Sequence, residues 1–109
     1  VDRFLEHCRI FLFANGGDEL CFISSADWMT RNLDYRVEVA APIYDKKLKA
    51  EMRTVVDYAL RDNIKSRIIN HKQNNHFKFR GENEEVFRSQ MELYKYYKQR
   101  ELGKEKAND

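Results

Sequence analysis

Two groups of polar residues stand at the ends of apolar runs in this 109-residue chain, where side chains are usually chosen for packing. His7 and Arg9 enter the first run, and the string Ser24-Ser25-Ala26-Asp27 leaves the second, followed by Arg31. Glu38 lies inside a third apolar run. A buried polar group costs free energy unless it is paired. If these side chains meet in space, the sequence predicts a phosphate site.

The residue types supply complementary parts of phosphate chemistry. Histidine acts as a nucleophile or a general acid/base near neutral pH, and arginine presents a fixed fork of donors to phosphate oxygens. Ser24 and Ser25 add hydroxyl and backbone N–H donors, and Arg31 adds a second guanidinium. Glu38 needs a partner, and an N–H of the His7 ring would satisfy it and fix the histidine tautomer.

Each residue also has an ordinary structural explanation. A lone histidine at the start of a strand is more often a surface or satisfied core residue. Ser25 or Asp27 would cap a helical turn, and Arg31 would pair with Asp34 at the surface, where ion pairs contribute little. Glu38 would accept a hydrogen bond from Arg36 or from a distant lysine. None of these explanations accounts for the convergence of the whole set.

A β-hairpin is the element that would bring the polar ends together. Residues 8–14 and 19–24 are apolar, with aromatic and β-branched side chains, and the Asn-Gly-Gly-Asp string between them is a strong turn signal. Counting back from the turn puts His7 opposite Ala26. Because side chains two apart share a strand face, the hairpin predicts that His7 and Arg9 lie together beside the 24–27 turn.

The remaining elements follow from hydrophobic period and from breaker residues. We predict a short helical turn over 27–33 and then a buried strand over 36–41 that ends at Pro42. An amphipathic helix follows over 46–61 with Asp45 as its cap, and after it an extended segment over 64–69 and a loop over 70–83. A second helix is predicted over 84–102 with Val86 and Phe87 on its apolar face, and the tail from Gly103 is expected to fray. This order predicts an α/β fold.

Composition bounds the class of protein. A length of 109 residues predicts a single domain over 1–109, and 42% hydrophobic with 35% charged residues argues against disorder. No apolar run approaches a membrane span and no signal peptide opens the chain. The first residue, Val1, indicates a piece of a longer protein.

Cys8 and Cys21 both lie in apolar runs, which favours buried free thiols over a disulfide. Free thiols fit a cytosolic setting.

Charge is distributed unevenly although the net charge is only +2. Residues 1–45 carry four arginines against eight acids, whereas residues 46–80 carry ten Lys or Arg against three acids, with two histidines added. Such an excess can attract a polyanion. A solvated, lysine-rich helix face explains the same composition, and both readings stay open at this point.

A family resemblance narrows the phosphate chemistry. The order His-x-basic, strand, turn, strand, Ser-x-Asn/Asp, Arg and then Glu resembles one half of a phospholipase-D-type site, with Arg9 where lysine is usual and Ala14 where an aspartate is expected. Those departures, and the strings VDRFLEHCRIFLFANGG and ISSADWMTRNLDYRVEVAAPIYD, resemble the last catalytic domain of the type 1 polyphosphate kinase family. The resemblance extends more loosely through Asp62-Asn63-Ile64-Lys65-Ser66-Arg67 and the final tyrosine-rich helix.

The resemblance implies a partial phospholipase-D-like domain, a sheet flanked by helices, in a magnesium-dependent kinase. That kinase reversibly transfers the terminal phosphate of ATP to polyphosphate through a phosphohistidine in a preceding domain, with magnesium bound mainly outside this chain. In this chain it implies catalytic roles for His7 and Glu38, no metal ligand, and phosphate or ATP contacts from five residues: Arg9, Ser24, Ser25, Asp27 and Arg31. His7 matches the family's second histidine, a general acid/base.

The same resemblance sets expectations for setting and partners. It implies a cytoplasmic enzyme, with membrane association of the full-length protein as a further implication. ATP, ADP, inorganic polyphosphate and the other domains of the same enzyme are the expected partners, in a homo-oligomer without nucleic acid. The fragment alone is expected to be inactive. Two alternatives stay open: a phospholipase-D-type phosphodiesterase or transferase half-site, and a non-catalytic module that binds polyanions through the basic surface of 46–80.

Overall fold

The computed structural model describes residues 2–108 and contains three strands and three helices. In chain order these are β1 (Ile10–Phe13), β2 (Leu20–Ser24), α1 (Thr30–Tyr35), β3 (Ala40–Pro42), α2 (Lys46–Arg61) and α3 (Ser89–Asn108), with a 3₁₀ turn over Asn15–Gly17 inside the hairpin. The strands form one antiparallel sheet in the order β1-β2-β3. The expected α/β class is confirmed.

The hairpin has the predicted register. Ile10 pairs with Ile23, and the ladder continues toward the open end, where the Ser24 N–H donates to the Arg9 carbonyl at 3.0 Å. Gly16 lies in the turn with φ of +65°, a conformation that favours glycine. The register therefore places the His-x-Arg segment beside the residues that leave β2.

The third strand is shorter than predicted and lies at the edge of the sheet. β3 spans Ala40–Pro42, so the expectation of a buried strand over 36–41 is wrong: residues 36–39 lie outside the strand, and Ala40 and Ala41 are not buried. Val37 is fully exposed, and Val39 is 65% exposed. Pro42 is tolerated inside β3 because an edge strand does not need every N–H for the ladder. Glu38 consequently precedes the strand and does not lie within it.

The clearest sequence period gives the clearest helix. α2 has the predicted bounds, and Asp45 caps it: Oδ1 accepts from the N–H groups of Lys47 at 2.9 Å and Leu48 at 3.0 Å. The short helical turn predicted over 27–33 is α1, shifted by a few residues toward the C-terminus. Both helices follow a polar residue or turn that stops the preceding strand.

The described chain divides into two compact units. Unit A is residues 7–56, with the whole sheet, and unit B is residues 2–6 together with 57–108. The expectation of one domain for 1–109 stays a prediction.

Cys21 is the one buried apolar residue among those described, and its thiol pKa is raised mainly by burial and to a smaller extent by the nearby Glu19 charge. Cys8 is exposed, which corrects the expectation of two buried thiols, and no disulfide joins the two.

Unit B is organised by the carboxylate of Asp62, which follows α2 directly and is 2% exposed. Its Oδ1 accepts from the N–H groups of Ile64 (2.9 Å), Lys65 (2.7 Å) and Ser66 (3.1 Å), and its Oδ2 accepts from Ser89 at 2.8 Å. Burial would raise the pKa of Asp62, but the N–H groups of Ser89, Lys65 and Ile64 outweigh it and lower the pKa to about 2.

The neighbouring Asn63 fixes the chain before α3. Its backbone N–H donates to the Phe87 carbonyl at 3.0 Å, and its Oδ1 accepts from the Phe87 N–H at 2.8 Å. Its Nδ2 donates to the Glu85 carbonyl at 2.8 Å. The Phe87 ring packs edge-on against Tyr58 at 5.2 Å, and the Arg61 guanidinium lies 4.1 Å from its centroid.

These contacts explain why the second helix was predicted wrongly at both ends. Val86 and Phe87 lie in the extended segment bonded to Asn63, so α3 starts at Ser89, where Asp62 accepts its first N–H. The tail from Gly103, predicted to fray, is helical to Asn108, and Asp109 lies outside the described residues. Residues 64–69 contribute only the Arg67–Phe77 bridge. No described helix has the length and apolarity required to cross a membrane.

We expect Asp62→Asn to destabilise unit B by about 2 kcal/mol at neutral pH, because the charge is lost and one of the two acceptor oxygens becomes an NH2 group that cannot accept a backbone N–H. A carboxyl whose folded pKa is depressed stabilises the fold above its unfolded pKa. Its contribution therefore declines as pH falls from about 4 toward 2. Denaturant unfolding monitored by circular dichroism over this range measures both effects.

Asp34→Asn is the matched control, since Asp34 is exposed on α1 and no hydrogen bond joins it to a described residue. It should leave the acid dependence of unfolding unchanged. An Asp62→Asn protein with the stability and acid dependence of the wild type would contradict the role assigned to Asp62.

Candidate functional site

The centre of the candidate site is an ion pair between the first strand and the turn after the second. The Arg9 Nε donates to Asp27 Oδ1 at 2.6 Å, and Nη2 donates to Oδ2 at 3.3 Å. The side chains are 31% and 44% exposed, so the pair is accessible to a ligand. Two-point contact fixes the plane of the guanidinium and leaves the Nη1 edge without a described partner.

The surrounding charges converge on this pair. The pKa of Asp27 is lowered, first by the Arg9 hydrogen bond and then, against partial burial, by the positive charges of Arg9, His7 and Arg31. The pKa of Arg9 is raised by the hydrogen bond and charge of Asp27, with a smaller contribution from Glu38. The structure therefore brings together the five predicted site residues that carry or can acquire charge.

Glu38 is oriented by Ser25, and the expected bond from His7 to Glu38 is not found in the described part of the chain. Ser25 Oγ donates to Glu38 Oε2 at 2.5 Å and accepts from the Val39 N–H at 3.0 Å. The Ser25 N–H also donates to the Val39 carbonyl at 2.9 Å, which extends the β2–β3 ladder by one step. Ser25 therefore donates its hydroxyl proton to the Glu38 carboxylate, and this proton does not point to solvent.

The other predicted residues line the same region. Ser24 Oγ accepts from the Ala26 N–H at 3.0 Å, which shapes the turn and leaves the hydroxyl proton available. His7 and Arg31 are exposed, and they interact with the Asp27 carboxylate of the ion pair only electrostatically. A hollow of about 400 Å³ beside these groups is lined by Arg9, Ser24 and Ser25 with apolar residues of β2 and β3. A phosphate group fits a hollow of this size.

An apolar hollow adjoins the ion pair on the aromatic face of the sheet, and the sequence reading did not anticipate it. It has a volume of about 350 Å³ and includes Asp27 and Ser24 at its rim. Its walls are Phe11, Phe13, Phe22, Trp28, Leu33 and Ala40. The ring centroids of Phe11 and Trp28 are 6.1 Å apart, and those of Phe13 and Phe22 are 6.0 Å apart in an edge-on arrangement. The alternating Phe residues of β1 were the signal that could have predicted this wall.

Asn32 is a second feature that sequence reasoning missed. It is 4% exposed on α1, and its Nδ2 has no hydrogen-bond partner within residues 2–108. A buried donor without a partner is uncommon in native proteins. The residue types alone gave no signal, because asparagine on a short helix next to a turn is ordinarily solvated.

Metal binding requires several convergent ligands, and the described residues offer no group of three or more His, Cys, Asp or Glu suited to it. Asp27 and Glu38 are each engaged, by Arg9 and Ser25 respectively. What the arrangement offers is donors for an anion: one oriented guanidinium, a second exposed one, a hydroxyl and an imidazole.

Comparison with known proteins gives consistent matches. The family model described as polyphosphate kinase C-terminal domain 2 matches residues 1–90. Polyphosphate kinase of Escherichia coli K12 is 46% identical over 98 residues, covering 90% of this chain and 14% of that protein. The Vibrio cholerae polyphosphate kinase is 43% identical over 107 residues, covering 98% of this chain.

A solved structure agrees with these relatives. The crystal structure of polyphosphate kinase from Porphyromonas gingivalis matches with a TM-score of 0.87 and 46% identity, covering 94% of this chain and 16% of that one. The chain therefore spans about one-seventh of the length of the curated relatives.

We expect Arg9→Ala to raise the pKa of the Asp27 carboxyl, because it removes the hydrogen bond and the nearest positive charge. Arg31→Ala should raise it by less, since Arg31 acts only through its charge. Carbon-detected NMR titration of the Asp27 carboxyl measures each value. Arg36→Ala is the control and should not move it. An Asp27 pKa that is the same with and without Arg9 would contradict the ion pair.

Proposed function

The chain belongs to the family of the polyphosphate kinase C-terminal domain 2, and on that premise we propose that it is part of an enzyme that reversibly transfers the terminal phosphate of ATP to polyphosphate. The observation that carries the proposal is the guanidinium of Arg9, held by Asp27 at the open end of the hairpin with its Nη1 edge unoccupied. Phosphoryl transfer is accelerated mainly by positioning and by neutralising phosphate oxygens.

In this proposal Arg9 contacts a phosphate of the substrate and Asp27 acts through Arg9. A free carboxylate repels phosphate, so the contribution of Asp27 is to fix the guanidinium plane before the ligand arrives. The second guanidinium, Arg31, is exposed and adds charge at the same turn. The hydroxyl of Ser24 and the backbone N–H groups of the turn are further donors to phosphate oxygens.

We assign the role of proton transfer to His7, supported by Glu38 as a fixed negative charge. His7 is exposed at the start of the hairpin, which suits a group that must reach a ligand entering from solvent. Ser25 holds Glu38 through a 2.5 Å bond, so Ser25 is a positioning residue in this scheme. The family resemblance puts the phosphohistidine nucleophile in a preceding domain, and His7 would act opposite it.

The antiparallel sheet with its Ser-x-Asp turn supports a phospholipase-D-like fold for the domain that contains residues 1–109. Membership of the family further supports ATP, ADP and polyphosphate as substrates, magnesium held by other parts of the enzyme, a homo-oligomer and a cytoplasmic location. None of the roles given to residues here passes through a metal, because these side chains do not form a ligand set.

We expect His7→Ala, made in a polyphosphate kinase chain that contains these residues, to lower the rate of polyphosphate synthesis by about 100-fold or more, which is typical for loss of a general acid/base. The fold should survive, because the exposed His7 side chain makes no hydrogen bond to a described residue. ATP-dependent polyphosphate formation and its reversal measure the rate, and thermal unfolding checks the fold.

Arg36→Ala provides the control, since Arg36 is an exposed cation near Glu38 in sequence with no described contact. It should retain most activity. Wild-type turnover in the His7→Ala enzyme would refute the role of His7.

We also expect the 109-residue chain by itself to make no polyphosphate from ATP, because the proposed nucleophilic histidine lies in another domain. A chromatographic assay of ADP and polyphosphate after long incubation tests this. Synthesis by this chain alone, at a level that scales with its concentration and disappears in His7→Ala, would contradict the assignment of a separate nucleophile.

A further inference from the structure

The strongest uncompensated charge in the described residues lies in the segment 64–81 of unit B, which we call the basic hairpin. It contains five Lys or Arg residues and two histidines, and no Asp or Glu. The five cations are Lys65, Arg67, Lys72, Lys78 and Arg80. An unbroken stretch of this kind is the part of the chain best suited to attract an anionic polymer.

The basic hairpin has a defined shape despite its irregular backbone. Arg67 pairs with Phe77 in an antiparallel bridge, flanked by hydrogen bonds from the Ile68 N–H to the His76 carbonyl and from the Lys78 N–H to the Ser66 carbonyl, both 2.9 Å. At its base, Asp62 accepts the N–H groups of residues 64–66. The cations therefore lie on a backbone segment that these hydrogen bonds hold in place.

The tip is closed by a turn. The Asn70 side chain accepts from the Lys72 N–H at 3.0 Å, and the Gln73 N–H donates to the Asn70 carbonyl at 3.1 Å. Gln73 and Asn75 adopt positive φ, as tight turns require. The Arg67 Nη1 donates to the Asn75 carbonyl at 2.8 Å and lies against Phe77, which ties the tip to the stem.

None of the five cations makes an ion pair with a described residue. Their hydrogen bonds go to neutral carbonyl oxygens: Arg67 to Asn75, Lys78 to Leu60 at 2.8 Å, and Arg80 to Glu84 at 3.4 Å. Asp2 interacts electrostatically with Lys65, and Glu84 with Lys78 and Arg80, in each case without an ion pair. A carbonyl orients a cation without cancelling its charge, so the positive potential of the hairpin remains directed to solvent.

The basic residues of α2 differ in this respect. Arg53 is paired with Glu19, and the helix itself carries Glu51 and Asp57. Within the basic region 46–80, the helix is therefore partly neutralised and the hairpin is not.

We propose that the basic hairpin is a separate binding surface for the polyphosphate chain, distinct from the Arg9 site that receives the reacting phosphate. The inference rests on the proposed function for the identity of the polyanion. A polyphosphate carries regularly spaced charges and no bases, so it needs cations and no stacking platform. The Phe77 ring is already covered by Arg67 at 3.3 Å. Only Phe79, 83% exposed and alternating with Lys78 and Arg80, resembles a nucleic-acid platform.

The test measures equilibrium binding of a short polyphosphate of defined length to the 109-residue chain by calorimetry at low salt. Lys72→Glu combined with Arg80→Glu should weaken binding by about ten-fold or more, because two attractions become repulsions at short range. The matched control, Lys46→Glu with Lys47→Glu, makes the same charge change in the first turn of α2, where acids favour the helix. It should weaken binding by less than about three-fold.

The inference would be overturned by equal or larger losses in the α2 pair, by no binding of polyphosphate to the wild-type chain, or by tighter binding of a single-stranded oligonucleotide of equal charge through the same hairpin residues. Arg9→Ala in the same assay separates the two sites. If Arg9→Ala abolishes binding and the hairpin variant does not reduce it, the hairpin surface is refuted while the proposed function stands. The converse result supports the hairpin and leaves catalysis to the His7 experiment.

Discussion

A single carboxylate, that of Asp62, takes up four backbone N–H groups in a chain whose described residues include just one buried apolar side chain. Hydrophobic burial normally supplies most of the stability of a domain, but here polar bonds must fix the geometry of unit B. Asp62 ends α2, sets the base of the basic hairpin and accepts the first N–H of α3. A neutral side chain at this position would leave these groups competing for water. The bounds of three elements therefore depend on one ionised residue.

The candidate site follows the same logic in unit A. The hairpin register brings the Arg9 segment beside the turn after β2, and the ion pair with Asp27 then fixes the guanidinium. Ser25 fixes Glu38 in the same manner. Asp27 thus orients a donor and Ser25 orients a carboxylate, so the entropy cost of ordering these side chains is met during folding and not on ligand binding. A site for a highly charged substrate benefits most from such preorganisation, since crowded phosphate oxygens leave little tolerance for misplaced donors.

Sequence patterns predicted this architecture where the cause was local. The Asn-Gly-Gly-Asp turn and the apolar runs on either side of it determine the hairpin register. The helical period of apolar residues, together with Asp45 as a cap, determines α2. Prediction failed where the cause was distant in sequence. Asn63 holds Phe87 extended across 24 residues, which delays the start of α3, and Ser25 bonds Glu38 and Val39 outside any strand. Residue types predicted that these side chains lie near one another, but the choice of Ser25 over His7 as the partner of Glu38 depends on side-chain geometry that periodicity does not encode.

The two cationic surfaces differ in what their charges can do. At the ion pair, Asp27 neutralises much of the Arg9 charge and fixes the direction of the guanidinium, so a phosphate bound there as proposed would be held in one orientation. On the basic hairpin, carbonyl partners leave the charges intact, so attraction is strong at longer range but weak in direction. Under the proposed function the two properties are complementary, because the reacting end of a polymer must be aligned while the rest of its chain only has to stay bound. A compensated and an uncompensated set of cations would divide these two tasks between them.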